Sequence, residues 1–354
     1  MPITVVGSIA YDAVKTPYGE RERMLGGAAV HFALAASFFE EVLVVGPVGE
    51  DFGEAELDVM RHRGVDVSDI ERVAGGKTFF WRGEYGWDLN SRETLDTQLG
   101  VFEGFQPKLS ERSRESDVLF LANIVPDLQI EVREQLPHAR FVALDSMNLW
   151  IDIARERLVE AIGGVDCLIL NDAELRQLTG KPNLVSAARE ILSWGGNGAN
   201  DSSDASPDQS STPRPGPSVI VAKQGEYGAA LVTRESFFAL PAYPLENVID
   251  PTGAGDTFAG GFVGYIAAHP PSGAQADEGL SDELLRRAMA HGTALASFNV
   301  EEFGTERVER LTGEEIRVRV EQLRELTRFS GAPARLRRDG ADSRYGGSSR
   351  EEVR

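Results

Sequence analysis

The chain is poor in several features that mark particular protein classes. It has one cysteine, Cys167, five lysines against thirty-one arginines, and no apolar run near the roughly 18 residues of a membrane helix. A lone cysteine excludes a disulfide framework, and its place in the apolar run VDCLILN suits a buried strand in a reducing cytoplasm. The opening MPITVVGSIAYD enters a strand-like pattern without the basic and apolar regions of a secretory signal, so a cytoplasmic protein is expected. Positive charge is also scarce: 36 Lys and Arg face 56 Asp and Glu, giving a net charge of −20 and a pI near 4.7. Nucleic acid and anionic membranes both require a basic footprint, so neither is expected as a partner. A lysine-poor, acid-rich surface fits either adaptation to high salt or an ordinary acidic enzyme from a GC-rich genome.

What is present, over 354 residues that are 42% hydrophobic, is ample for one large domain with a small appendage. Residues 195–217 and the tail 331–354 are crowded with Gly, Pro, Ser and Asp, and are expected to be disordered. Elsewhere apolar runs alternate with helical patterns. ITVVGSI, VLVVGPVG, DVLFLAN, RFVALDS, VDCLILN and SVIVAK read as strands; GAAVHFALAASFFE and DFGEAELDVMRHRG read as helices. That alternation predicts an α/β fold, a doubly wound and mostly parallel sheet covered on both faces. Ligands bind beyond the carboxyl ends of such strands, where Asn123, Asp145, Asn171 and Lys223 fall. Residues 11–25 and about 75–100 break the rhythm; GKTFFWRGEYGWDLNSRETLD alternates like an antiparallel patch with one solvated face, and together the two predict a small β lid.

The most informative stretch is DPTGAGDTFAGGF, residues 250–262. It reads as a strand ending at Val248 and Ile249, a turn fixed by Pro251, and a helix from about Ala254. Gly253 and Gly255 let the backbone approach a ligand, and unpaired amides with the positive helix end make an anion site. Gly260 and Gly261 lie inside the helix, where close packing against a neighbour would justify them. A carboxylate beside a bound phosphate repels it, so Asp256 makes sense as a base that takes a proton from an attacking hydroxyl. The helix end is expected to keep Asp256 ionised.

DPTGAGDTFAGGF resembles the C-terminal signature of the ribokinase-like (PfkB) carbohydrate kinases. GGAAVHFALAASFF with VGPVGEDFG resembles that family's other signature, and the likeness runs in order from residue 3 to about 329. The resemblance implies one kinase domain over 1–330 that transfers the γ-phosphoryl group of ATP, with Mg²⁺, to a hydroxymethyl group. On matching positions it implies Asp256 as catalytic base and the amides of Gly253, Ala254 and Gly255 as anion hole. NDAEL resembles the family's Asn-x-x-Glu motif, implying that Asn171 and Glu174 help hold Mg²⁺ through water, although the same four residues also spell a helix capping box. AKQGEYGA resembles a nucleotide-binding turn, with Lys223 and Gly225 near the phosphates. AHGTALASFNVEEFG resembles segments that line the adenine pocket, which makes His291, Ala294 and Asn299 candidates; His291 equally suits a core position.

On the acceptor side Asp12 resembles an aspartate that grips sugar hydroxyls, Gly26 and Gly27 a pair that admits the ring, and Asn123 and Asp145 complete the set. LDSMNLW departs from the family's Asp-Pro-Asn-x-Arg turn, with Trp150 where arginine would stand. Asp250 and Thr252, with the loop around 301–304, correspond to a place where many relatives hold K⁺. A small sugar is the expected acceptor; a nucleoside of the adenosine kind is the alternative, and a non-catalytic nucleotide sensor a third reading. The intact Gly-Ala-Gly-Asp and Asn-x-x-Glu oppose the sensor. No strand leads into a Gly-x-Gly-x-x-Gly helix start, which opposes a nicotinamide dehydrogenase. An exposed lid edge suggests a homodimer.

Overall fold

The computed structural model describes residues 1–194, 216–270 and 280–328. Nearly all of the 195–217 insertion, and the tail 331–354, lie outside the described residues. In chain order the strands are β1 (Ile3–Val6), β2 (Ala10–Thr16), β3 (Gly19–Gly26), β4 (Val42–Gly49), β5 (Ile70–Val73), β6 (Phe79–Tyr85) and β7 (Arg92–Gln98). They continue as β8 (Val118–Leu121), β9 (Phe141–Asp145), β10 (Cys167–Asn171), β11 (Val219–Lys223), β12 (Ala229–Val232) and β13 (Phe237–Leu240).

Nine of them form one sheet in the order β13-β12-β11-β10-β9-β8-β1-β4-β5. From β11 to β5 every pairing is parallel; β12 and β13 extend the sheet antiparallel at one edge. β1, β4, β8 and β9 are buried along their whole length, as continuous Val/Leu/Phe runs require when helices cover both faces. Chain order reverses beside β1, so a crevice opens at the carboxyl ends of β1 and β8. β9, β10 and β11 end there on Asp145, Asn171 and Lys223, and Asn171 is the register partner of Lys223.

A second sheet, β3-β2-β6-β7, spans residues 10–26 and 79–98 and supplies the lid. It is not purely antiparallel: β2 and β6 pair parallel, because they enter from separate parts of the chain in the same direction. Another expectation fails at residues 245–249, which form no strand. Ile249 N–H donates to Val300 O at 2.8 Å, tying this segment to the end of a helix instead of to a sheet edge.

Three helices, Ala28–Ala36, Ala254–Ala268 and Asp282–Asn299, pack together on one face. The first is a run of small and apolar residues that is buried at all nine positions. A Cβ at Gly260 would collide with the Phe32 carbonyl, and one at Gly261 would lie 2.9 Å from Gly292 Cα. The paired glycines therefore serve close helix packing, as expected. Among the described residues no helix is long and apolar enough to cross a membrane.

Candidate active site

Gly253 caps the Ala254–Ala268 helix with φ 73°, a left-handed conformation that glycine adopts without strain, and no side chain caps the helix start. Within the first turn Ala254 N–H closes onto Pro251 O at 3.2 Å and Thr257 N–H onto Gly253 O at 2.8 Å, which leaves the amides of Gly253 and Gly255 as the candidate anion donors. Asp256 follows in the first turn, partly buried. A Cβ at Gly255 would lie 3.2 Å from Lys223 Nζ, so the lysine ammonium stands beside the start of that helix.

Lys223 Nζ donates to Asp145 Oδ2 at 2.8 Å, with side chains only 18% and 5% exposed. Burial alone would lower the lysine pKa, but Asp145, Glu174 and Asp256 outweigh it and hold the ammonium above its ordinary value. Asp256 moves the other way. Removal from water first, then the charge of Asp145, push its carboxyl up to about 7 despite Lys223. Burial and Asp145 thus oppose the helix end that was expected to keep this carboxyl ionised. Glu174 is raised to about 7 by burial and Asp145, with Lys223 opposing. These four groups form one electrostatic unit in which carboxylates exceed cations.

Asn171 and Glu174 make the reciprocal capping box: Asn171 Oδ1 accepts from Glu174 N–H and Glu174 Oε2 accepts from Asn171 N–H, each at 2.8 Å. Among the described residues no group of three or more His, Cys, Asp or Glu could hold a metal ion alone. The site nevertheless fits Mg²⁺ bound with phosphates and water, its usual habit, since Glu174 retains a second oxygen and the cluster carries excess negative charge.

On the lid side Asp12 is buried on β2, its pKa raised to about 7 by burial and by Asp250 and Asp256, while Gly27 N–H and Arg92 act against the rise. A Cβ at Gly26 would collide with the Asp12 carboxylate; Gly27, at φ 99°, starts the Ala28–Ala36 helix against Ser8 O. Asn123 is held by its neighbours: Trp150 Nε1–H donates to its Oδ1 at 2.9 Å and its amide reaches Met147 Sδ at 3.1 Å. Trp150, standing where arginine was expected, orients Asn123. Asp250 accepts from Thr252 N–H at 2.9 Å and Gly304 N–H at 3.0 Å, joining the two candidate K⁺ segments directly.

The three adenine-pocket candidates all lie on the Asp282–Asn299 helix. The His291 ring stacks on Tyr265 at 4.1 Å and packs edge-on to Phe39. Tyr265 lies about 13 Å along the helix from Asp256 at 1.5 Å per residue. Ala294 is fully buried in the helix face. Asn299 is a buried brace, its Nδ2–H donating to Thr252 O at 2.8 Å and its Oδ1 accepting from Thr257 Oγ1 at 2.9 Å. Gly225, φ 57°, sits in the turn after β11, beneath the tip of the β6–β7 hairpin, where Asn90 Nδ2–H donates to Glu226 at 3.1 Å. Sequence reasoning missed Arg92 and His31. Arg92 is one charge among many in its strand, whereas His31 is a lone polar residue in an apolar helix.

Residues 2–310 match the pattern of the pfkB family carbohydrate kinases. The chain belongs to that family. It is 27% identical over 277 residues to the cytidine kinase of Thermococcus kodakarensis, covering 76% of this chain and 90% of that protein. To the ribokinase of Lactococcus lactis it is 26% identical, covering 74% and 82%. A nucleoside kinase structure from Methanocaldococcus jannaschii superposes with a TM-score of 0.68 at 19% identity, over 91% of this chain and 98% of that one. The last likeness concerns the fold. Family membership assigns ATP-dependent phosphotransfer to a hydroxyl of a small sugar or nucleoside.

Proposed function

We propose that this protein phosphorylates the hydroxymethyl group of a nucleoside at the expense of ATP, with Asp256 as base. The observation that carries the reading is the meeting, at one crevice, of Asp256, the Gly253 turn, Lys223 and the buried Asp12. Asp12, with the Gly26-Gly27 approach, would accept hydrogen bonds from a ribose diol. The acceptor hydroxyl would then lie toward Asp256, which takes its proton late, as the oxygen bonds to phosphorus.

Lys223 and the helix-start amides of Gly253 and Gly255 would stabilise charge on the transferring group. Asn171 and Glu174 would hold Mg²⁺ through water, and that ion would supply charge neutralisation between the β- and γ-phosphates. Asp145 orients Lys223. The lid, bonded to the site through Tyr85 and Thr252 at 3.3 Å, would exclude the water that otherwise accepts the phosphoryl group.

A nucleoside is preferred over a free sugar because the match to a cytidine kinase spans 90% of that protein, against 82% for the ribokinase match. A free pentose is the second reading, and the same Asp12 chemistry supports it. Initial rates with saturating ATP on cytidine, adenosine, inosine, ribose and deoxyribose decide between them. Nucleoside kcat/KM at least about tenfold above ribose, equivalent to about 1.4 kcal/mol, supports the proposal; the reverse order selects the sugar. Activation by KCl over choline chloride at equal ionic strength would support K⁺ beside Asp250 and Thr252, and equal rates would remove it.

A further inference from the structure

The Ala28–Ala36 helix carries one polar residue, His31, in its otherwise apolar length. The ring is 2% exposed and lies directly under the Gly253 turn, where an added Cβ would collide with ring atoms Cε1, Nδ1 and Nε2. Nδ1 is 3.2 Å from Asn299 Oδ1. The Asn299 amide orientation follows from its other bond, because Nδ2–H donates to Thr252 O at 2.8 Å. Oδ1 is therefore an acceptor, already bonded to Thr257 Oγ1–H at 2.9 Å, and His31 must donate to it through Nδ1–H.

Among the described residues Nε2 is buried without a partner. The charged ring would carry a second proton there with nothing to receive it. Burial accordingly lowers the His31 pKa to about 4, with the Asn299 bond acting against the fall, so the ring is neutral at any ordinary working pH. His31 thus joins the starts and ends of three helices: its own, Ala254–Ala268 through Thr257, and Asp282–Asn299 through its last residue.

We propose that His31, as the neutral Nδ1–H tautomer, is the positioning residue of the anion hole. Its ring is the floor against which Gly253 adopts its left-handed turn, and its Nδ1–H fixes the Asn299 amide that holds Thr252 on one side of that turn and Thr257 on the other. At 2% exposure beneath the turn, it acts through the backbone that rests on it. Its effect falls on amides that act when charge develops on the transferring phosphoryl group, so it belongs to kcat and not to ground-state binding. The inference rests on the phosphotransfer reading of the site, but the tautomer and the network do not.

Two polar substitutions separate this role from generic packing. Asparagine places its side-chain amide where imidazole has Nδ1, whereas glutamine places it where imidazole has Nε2. His31→Asn is expected to keep kcat within about threefold of wild type, and His31→Gln to lose about 10–100-fold, the range of ~1.4–2.7 kcal/mol. Both are expected to leave the acceptor KM within about twofold, with kcat normalised to the folded fraction. Equal kcat for the two variants, or a loss expressed in KM alone, would overturn the proposal. The second measurement needs no activity. In ¹⁵N-histidine NMR of the wild type, His31 is expected as the neutral Nδ1–H tautomer, unchanged from pH 5 to 8. An Nε2–H tautomer, or titration near the ordinary histidine value, would overturn it whatever the enzyme phosphorylates. If the wild type transfers no phosphoryl group while the NMR result holds, the functional reading fails and the structural role of His31 stands.

Discussion

At the scale of single residues, the central group is Asp256, and its environment makes opposite demands on activity and stability. Asp256→Asn removes the base and is expected to lower kcat by about 10²–10⁴, with nucleotide affinity retained. In the wild type, kcat/KM should fall on the acid side with an apparent pKa near 7, since burial and Asp145 raise that carboxyl to about 7 and only the ionised form accepts the proton. A limb near pH 4 would contradict the assigned base or its surroundings. The identity of this residue was legible because thirteen consecutive residues spell turn, anion site and carboxylate together. Its protonation was not, since Asp145 and Lys223 reach it from β9 and β11, distant in sequence. Trp150 was legible as a departure, but its hydrogen bond to Asn123 depends on how the Asn148–Ile153 helix meets the segment after β8.

At the scale of elements, the helix layer and the lid each make a separable prediction. Gly260→Ala places a methyl group against the Phe32 carbonyl, which side-chain movement cannot relieve. The expected result is a loss of about 1–3 kcal/mol of stability with acceptor KM unchanged, measured by denaturant unfolding and steady-state kinetics. Tyr85→Phe deletes the bond between lid and Thr252, worth about 1 kcal/mol, and should raise acceptor KM about fivefold while leaving Tm nearly constant. An unaltered KM would mean that this bond does not help close the lid. The parallel strands were legible because burial on both faces leaves uninterrupted apolar runs. β12 and β13 were not singled out, being four-residue strands whose identity depends on pairing back onto β11. Residues 245–249 look like a strand locally, yet a helix-end carbonyl takes the Ile249 amide and the Ile249 side chain packs against the lid residues Val14 and Tyr85.

For the whole molecule, three carboxyls dominate the pH response: Asp12, Glu174 and Asp256, each raised to about 7 mainly by burial. A carboxyl raised in the folded state contributes stability fully below its unfolded value, near 4, and loses it as pH rises through about 7. The unliganded protein should therefore be destabilised by these groups at pH 8. Asp256→Asn, inactive, should melt above wild type at pH 8, and the gap should narrow at pH 5. A variant less stable at both pH values would mean that the Lys223 attraction exceeds desolvation. The homodimer expectation belongs to this scale as well. β7 is an exposed lid edge, whereas β3 is flanked by the 303–306 segment, where Arg21 bonds Glu306 at 3.2 Å. Light scattering of the intact protein measures it: twice the 38.5 kDa chain mass supports lid pairing, and the single mass removes it.

The central claim is that this crevice moves a phosphoryl group to a nucleoside hydroxymethyl with Asp256 as base. The measurement that tests it most directly is transfer from γ-labelled ATP to cytidine, adenosine, inosine, ribose and deoxyribose, by wild type and by Asp256→Asn of equal folded fraction. The account predicts a labelled nucleoside 5′-phosphate from the wild type and almost none from the variant. Label on no acceptor, or equal label from both proteins, would contradict it.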